Sequence, residues 1–224
     1  MEIPDVQLFV QALLYLAIVF TGFTTAISVG LTTMNFDGNC ILYSAVNWKN
    51  ATFSTFDFSD KVNCNIPVYF NVFACIFFSL GMFCYFTYAI CQKDPHIGSQ
   101  MWVMPFVLIS AAMGIVSFIV SCIISVGFKT LCDGITSSPG RLTSCSQGQR
   151  MNWNAQRNTD YNGSHYYAYF TVAQTATWIG FLAWVVQCAL GIVRFVRNRR
   201  LRSQAYDSSI NADTAKIGDV EPTA

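Results

Sequence analysis

Charge is what this sequence has least of. Only 11% of its 224 residues are Asp, Glu, Lys or Arg, against about 25% in an average soluble domain. The net charge is +1, so no global field recruits nucleic acid or anionic substrates. Histidine is nearly absent: His96 and His165 are the only two. In the topology drawn below they fall on opposite sides of a membrane, which rules out a His-based metal site or catalytic triad. The chain has no Cys-x-x-Cys pair, on which four-helix thiol oxidoreductases depend. It has no Gly-rich phosphate loop and no carboxylate pair inside an apolar run. These absences leave an enzyme without candidate residues, and no cofactor, metal or small-molecule substrate is implied.

What the chain does have is long apolar runs, with 53% hydrophobic residues and 19 Phe. The charges fall into the termini and three loops, and four stretches between them are bare: about 8–29, 68–91, 102–126 and 168–193. Each is long enough, at about 1.5 Å per residue, to cross about 30 Å of hydrocarbon. Thr21, Thr24, Thr25 and Ser28 in the first run can bond back to helix carbonyls, which makes them tolerable in lipid. The acidic start (Glu2, Asp5) and the length of that run argue for a retained helix over a cleaved signal. The expected architecture is an all-α membrane protein, a four-transmembrane-helix bundle over residues 1–202. Two polar loops, 32–67 and 128–165, connect its spans. A tail, 203–224, has almost nothing to bury and is expected to be disordered.

Three signals of different origin orient the chain. Arg194, Arg197, Arg199, Arg200 and Arg202 follow the fourth run, and Lys93 sits in the short turn 92–100. Positive charge beside span ends marks the cytoplasmic side, so both termini and the turn are expected inside. The two long loops then face outward. They carry the sequons Asn50-Ala51-Thr52 and Asn162-Gly163-Ser164, within reach of the glycosylation machinery. They also carry Cys40, Cys64, Cys132 and Cys145, an even number suited to an oxidising compartment. Asn162 lies close to the fourth run, where access for glycosylation is poorer than at Asn50. Four cysteines allow three pairings; closure within each loop is favoured, because local rings cost less chain entropy before the bundle assembles.

Of the remaining cysteines, Cys91 lies at the expected cytoplasmic edge and is a candidate for S-palmitoylation. Ser110, Gly114, Ser117, Ser121 and Ser125 recur at helical spacing in the third run, and Ala176 and Gly180 form a small-xxx-small pair in the fourth. Small residues let helices approach closely where lipid supplies no hydrophobic drive. Packing is therefore expected of this face, with a pore lining as the alternative. The Arg cluster suits anionic headgroups.

A family resemblance rests on particular residues. Phe36-Asp37-Gly38-Asn39-Cys40-Ile41-Leu42-Tyr43 is similar to the first-loop signature of the transmembrane protein 179 family. So are Ile124 to Phe128 leading into Leu131-Cys132-Asp133-Gly134-Ile135-Thr136, and the stretch from Ser144-Cys145-Ser146 to Gln149 and Trp153. The resemblance implies four helices, inside termini and residence in the plasma membrane or secretory-pathway vesicles, with no catalytic residues. Claudins fit less well, since their loop places a Trp before its two cysteines, whereas Trp48 follows Cys40.

The functional expectation is a non-enzymatic interaction or accessory subunit for a channel, receptor or trafficking complex. Its outer loops, bearing Trp48, Phe53, Phe56, Phe58, Trp153 and Tyr161, would engage a membrane-protein partner or a second copy of the chain. The alternative is a small channel or transporter in its own right, against which the uncharged spans argue.

Overall fold

The computed structural model describes residues 3–50, 53–91, 103–137, 142–150, 153 and 161–218. Four helical rods dominate it. The first is α1 (Ile3–Asn35). The second is continuous but changes pitch, from α2 (Val62–Phe70) through a π-helical segment (Asn71–Phe78) into α3 (Ser79–Cys91). The third and fourth are α4 (Val103–Thr136) and α5 (Tyr166–Gly218). All four rods are long and apolar enough to cross a membrane.

The threonines of α1 behave as their chemistry dictates. Thr24, Thr25, Thr32 and Thr33 each donate to the carbonyl four residues back, at 2.8–3.0 Å. In the second rod, Asn71 Nδ2 donates to Pro67 O at 2.7 Å and Ser79 Oγ to Ala74 O at 3.3 Å. Side chains thus satisfy carbonyls around the wide segment, as lipid requires of any irregular backbone. Gly22 lies against that segment: a methyl there would come within 2.6 Å of Cys75 Cβ. Its bareness lets α1 press on the second rod. On its other side α1 packs along α5, and α5 in turn packs along α4.

The helices run past the ends of the apolar runs. With 33 residues, α1 is about 50 Å long at about 1.5 Å per residue, well beyond the hydrocarbon thickness. It ends in a Schellman turn: Gly38 N–H donates to Thr33 O at 2.9 Å and Asp37 N–H to Met34 O at 3.1 Å. Asp37 and Gly38 take the left-handed φ of 54° and 75° that this cap needs. The third rod continues to Thr136, so Cys132 sits on a helix and not in the loop expected from residue 128 onward. The end of an apolar run is not the end of its helix: Lys129, Thr130 and Asp133 are exposed on the turns that follow. Of the tail expected to be disordered, residues 203–218 continue the α5 helix, and residues 219–224 lie outside the described residues. The tail has no Gly or Pro before Gly218 to stop the helix.

The first polar loop contains a hairpin that the all-α expectation did not include. Strands β1 (Cys40–Asn50) and β2 (Phe53–Ser59) pair antiparallel, with Val46 opposite Phe56 and Asn47 opposite Thr55. The register slips between Cys40 and Ala45. There Tyr43 holds φ 62°, an uncommon state for a bulky residue. A short 3₁₀ turn (Cys145–Arg150) is the regular element of the second loop among the described residues.

Candidate functional site

Hairpin, 3₁₀ turn and the overhanging ends of α1, α4 and α5 together form one head above the bundle. Its interior is a single apolar cluster that includes Phe36, Ile41, Leu42, Leu131, Ile135 and Trp153. Two disulfides brace it: Cys40–Cys64 joins the start of β1 to α2, and Cys132–Cys145 joins the end of α4 to the 3₁₀ turn. Each closes within its own loop. The two loops are held to each other by aromatic rings instead.

Trp153 is the hub of that contact. Its ring stacks on Phe56 at 4.6 Å and meets Phe36 edge-on at 5.0 Å and Tyr166 at 5.3 Å. Its indole N–H donates to Gly148 O at 3.2 Å. Phe58 and Tyr161 close the ring of contacts around Phe36. The aromatics expected to face a partner are therefore turned inward: Phe56 and Trp153 are buried, while Trp48, Phe58 and Tyr161 are half-buried. Burial of these rings gains more than exposure to water, and the two disulfides hold the backbones close enough for them to meet. Trp48 uses its N–H on Gly134 O at 3.1 Å, one of the carbonyls that the end of α4 leaves without a helical partner. The side chains of Asn50 and Phe53, like the turn 92–100 with Lys93, lie outside the described residues.

Glycines make these approaches possible, and the sequence reading gave them no such role. A methyl on Gly134 would stand 3.1 Å from Val46 Cγ2, and one on Gly148 2.5 Å from the Tyr166 hydroxyl. One on Gly163 would collide with the indole of Trp153. The Tyr166 hydroxyl also donates to Cys145 O at 2.5 Å, tying the start of α5 to the second disulfide. Burial of Tyr43 against α4 raises its phenol above the ordinary value, with Cys122 adding to the shift.

The hairpin's outer surface is polar. Ala45, Asn47 and Asp57 are exposed, and Asn47 Nδ2 donates to Asp57 Oδ2 at 2.8 Å across the strands. Asn162 is exposed on the same head, but its Oδ1 accepts from the N–H and hydroxyl of Ser164, at 3.1 and 2.7 Å.

Within the bundle, Ser110, Gly114, Ser117 and Ser121 are buried, and Ser125 accepts the Trp178 indole N–H at 3.0 Å. A methyl on Gly114 would meet Trp184 Cβ at 3.7 Å, and one on Gly180 would meet Thr21 Oγ1 at 3.0 Å. Ala176, one turn from Gly180, is buried too. Ser117, Ser121 and Ser125 of the α4 face pack within the bundle, whereas Ser110 and Gly114 also border an apolar groove of ≈ 560 Å³ between α4 and α5. Cys91 is exposed at the end of α3. Arg194 departs from the expected solvent-facing cluster: it is buried, while Arg197, Arg199 and Arg200 are exposed. Among the described residues no group of His, Cys, Asp and Glu is arranged to hold a metal.

Comparison with known proteins agrees with this architecture. A family model described as Transmembrane protein 179/179B Claudin domain matches residues 7–217. A zebrafish (Danio rerio) protein named Transmembrane protein 179B is 26% identical over 203 residues, covering 90% of each chain. A human protein of the same name is 24% identical over 186 residues, covering 83% of this chain and 82% of the relative. No solved structure matches. The chain belongs to the transmembrane protein 179/179B family and is a multi-pass membrane protein. The family's claudin description corrects the contrast drawn from Trp48: a Trp in another place does not separate this chain from claudin-type domains.

Proposed function

We propose that this member of the family is a non-enzymatic interaction or accessory subunit that presents its disulfide-braced head on the outer face of the plasma membrane or of secretory vesicles. Both termini would then lie in the cytoplasm, in line with the arginines that follow the fourth span. The observation that carries the reading is a braced, preformed head. Two disulfides and a Trp153-centred cluster fix the head, and a preformed surface binds without paying to order itself. Because the large aromatics point inward, the contact surface is assigned to the polar outer face of the hairpin around Asn47 and Asp57. The partner is another membrane protein or a second copy of the chain. Cys91 would carry a reversible acyl anchor at the inner leaflet; equal acyl exchange on wild type and Cys91→Ser would remove that element.

Affinity purification in mild detergent, read by mass spectrometry, tests the whole. Wild type is expected to retain a membrane-protein partner that Asn47→Arg/Asp57→Arg loses while remaining folded and disulfide-bonded. Recovery of chaperones alone, or a partner indifferent to the hairpin variant, overturns it. The channel alternative gains no support from the serine face of α4: its serines are buried or bonded to Trp178, and the groove that Ser110 and Gly114 border is otherwise lined by apolar side chains.

A further inference from the structure

At the end of the bundle opposite the disulfides, side chains from four rods converge on a small chamber. Gln11 and Tyr15 come from α1, Phe86 from α3, Ser110 from α4, and Gln187 and Arg194 from α5, around a cavity of ≈ 20 Å³. The α5 residues get there by a regular repeat. Phe170, Ala173, Thr177, Gly180, Trp184, Gln187, Gly191 and Arg194 follow one another at alternating steps of three and four, and all are buried. Arg194 is thus the next member of the core stripe before it is a member of the arginine cluster.

The polar groups in this chamber are connected, with one exception. Arg194 Nη1 donates to Gln11 Oε1 at 3.5 Å, and its guanidinium carbon lies 6.0 Å from the Phe86 ring centroid, within range of a cation–π contact. Gln187 Nε2 donates to the Gln11 backbone carbonyl at 3.5 Å. Gln187 is only 2% exposed, yet its Oε1 has no hydrogen-bond partner.

An orphaned acceptor beside a cavity calls for a donor. A cation would share the chamber with Arg194, and an anion would face the Gln187 and Gln11 side-chain oxygens. A cavity needs about 10–15 Å³ to hold one water, together with two to four polar partners; this one has the room and the partners. We propose that the chamber is a binding site for a single ordered water, which donates to Gln187 Oε1 and accepts from the Arg194 guanidinium. With that molecule in place the layer is a closed polar junction between α1 and α5. It keeps the Arg194 charge hydrated inside the bundle, where an unsatisfied neighbour would be most costly.

Hydroxyl-radical footprinting by X-ray radiolysis of the full chain in lipid nanodiscs tests this, because bound water generates radical where bulk solvent cannot reach. Matched residues supply the reference: Tyr15 against Tyr166 and Phe86 against Phe170, all at or below 4% exposure. Tyr15 and Phe86 are expected to oxidise several-fold faster than their matches. In Gln187→Leu, which removes the acceptor, the excess should vanish. Equal rates within both pairs in wild type would show a dry chamber and overturn the proposal, as would an excess unchanged in a folded Gln187→Leu. Should that variant fail to fold, the wild-type comparison decides alone.

Discussion

Gly127 of α4 presents its α-carbon to the ring of Tyr43, so that a methyl group there would stand 2.8 Å from Cε2 and 2.5 Å from Leu42 Cδ2. The hairpin lies on the third rod at a distance only hydrogen permits. Tyr43 cannot easily retreat, because it sits at the slip in the strand register with φ 62°. Gly127→Val is expected to destabilise the head by about 1–3 kcal/mol, the usual range for forced overpacking. A lower melting temperature in detergent and faster proteolysis within 40–59 would register it. An unchanged melting curve would mean that the hairpin does not rest on α4.

Trp153 joins the two loops without a covalent bond. Trp153→Ala should cost about 3–5 kcal/mol, as large aromatic truncations in packed cores do. Trp153→Phe should cost less, keeping the stack on Phe56 but losing the N–H to Gly148 O. Thermal unfolding followed by labelling of newly exposed thiols after mild reduction would rank the two. The reverse order would refute the hub.

Non-reducing peptide mapping should recover Cys40 linked to Cys64 and Cys132 linked to Cys145. The sequence separations are 24 and 13, so removing either pair should cost roughly 3 kcal/mol on the chain-entropy account. Any peptide joining the first loop to the second would contradict the geometry of the head.

Of the two sequons, Asn50 is the expected glycan carrier. Asn162 already commits its side-chain oxygen to Ser164, and Gly163 is pinned under Trp153. Asn50→Gln should abolish the glycosidase-sensitive shift on a gel, and Asn162→Gln should leave it intact. The opposite result would mean that Asn162 is modified before the head closes.

The resemblance motifs turn out to be residues that hold the head together. Phe36, Asp37 and Gly38 cap α1 and enter the aromatic cluster; Gly127, Leu131 and Gly134 form the seat for β1. That explains how short motifs identified a family while saying nothing of its activity. The hairpin did leave a trace: in Phe56-Asp57-Phe58 a polar exposed residue separates two rings packed inward, the alternation expected of a half-buried strand. Arg194 also left one, in the three-and-four spacing that continues from Phe170. Its charge pulled the reading toward the arginine cluster, although helical phase is what sets a side chain's direction.

The sequence by itself determined the number of spans, because lipid leaves a backbone no hydrogen-bond partner outside its own helix and uncharged length alone reveals such a segment. Tertiary structure decided what the polar parts became. Whether Trp153 faces a partner or a core, and whether Arg194 meets solvent or the centre of the bundle, depends on which surfaces from distant parts of the chain come within van der Waals reach. Composition does not encode that distance; bare glycines and two disulfides do.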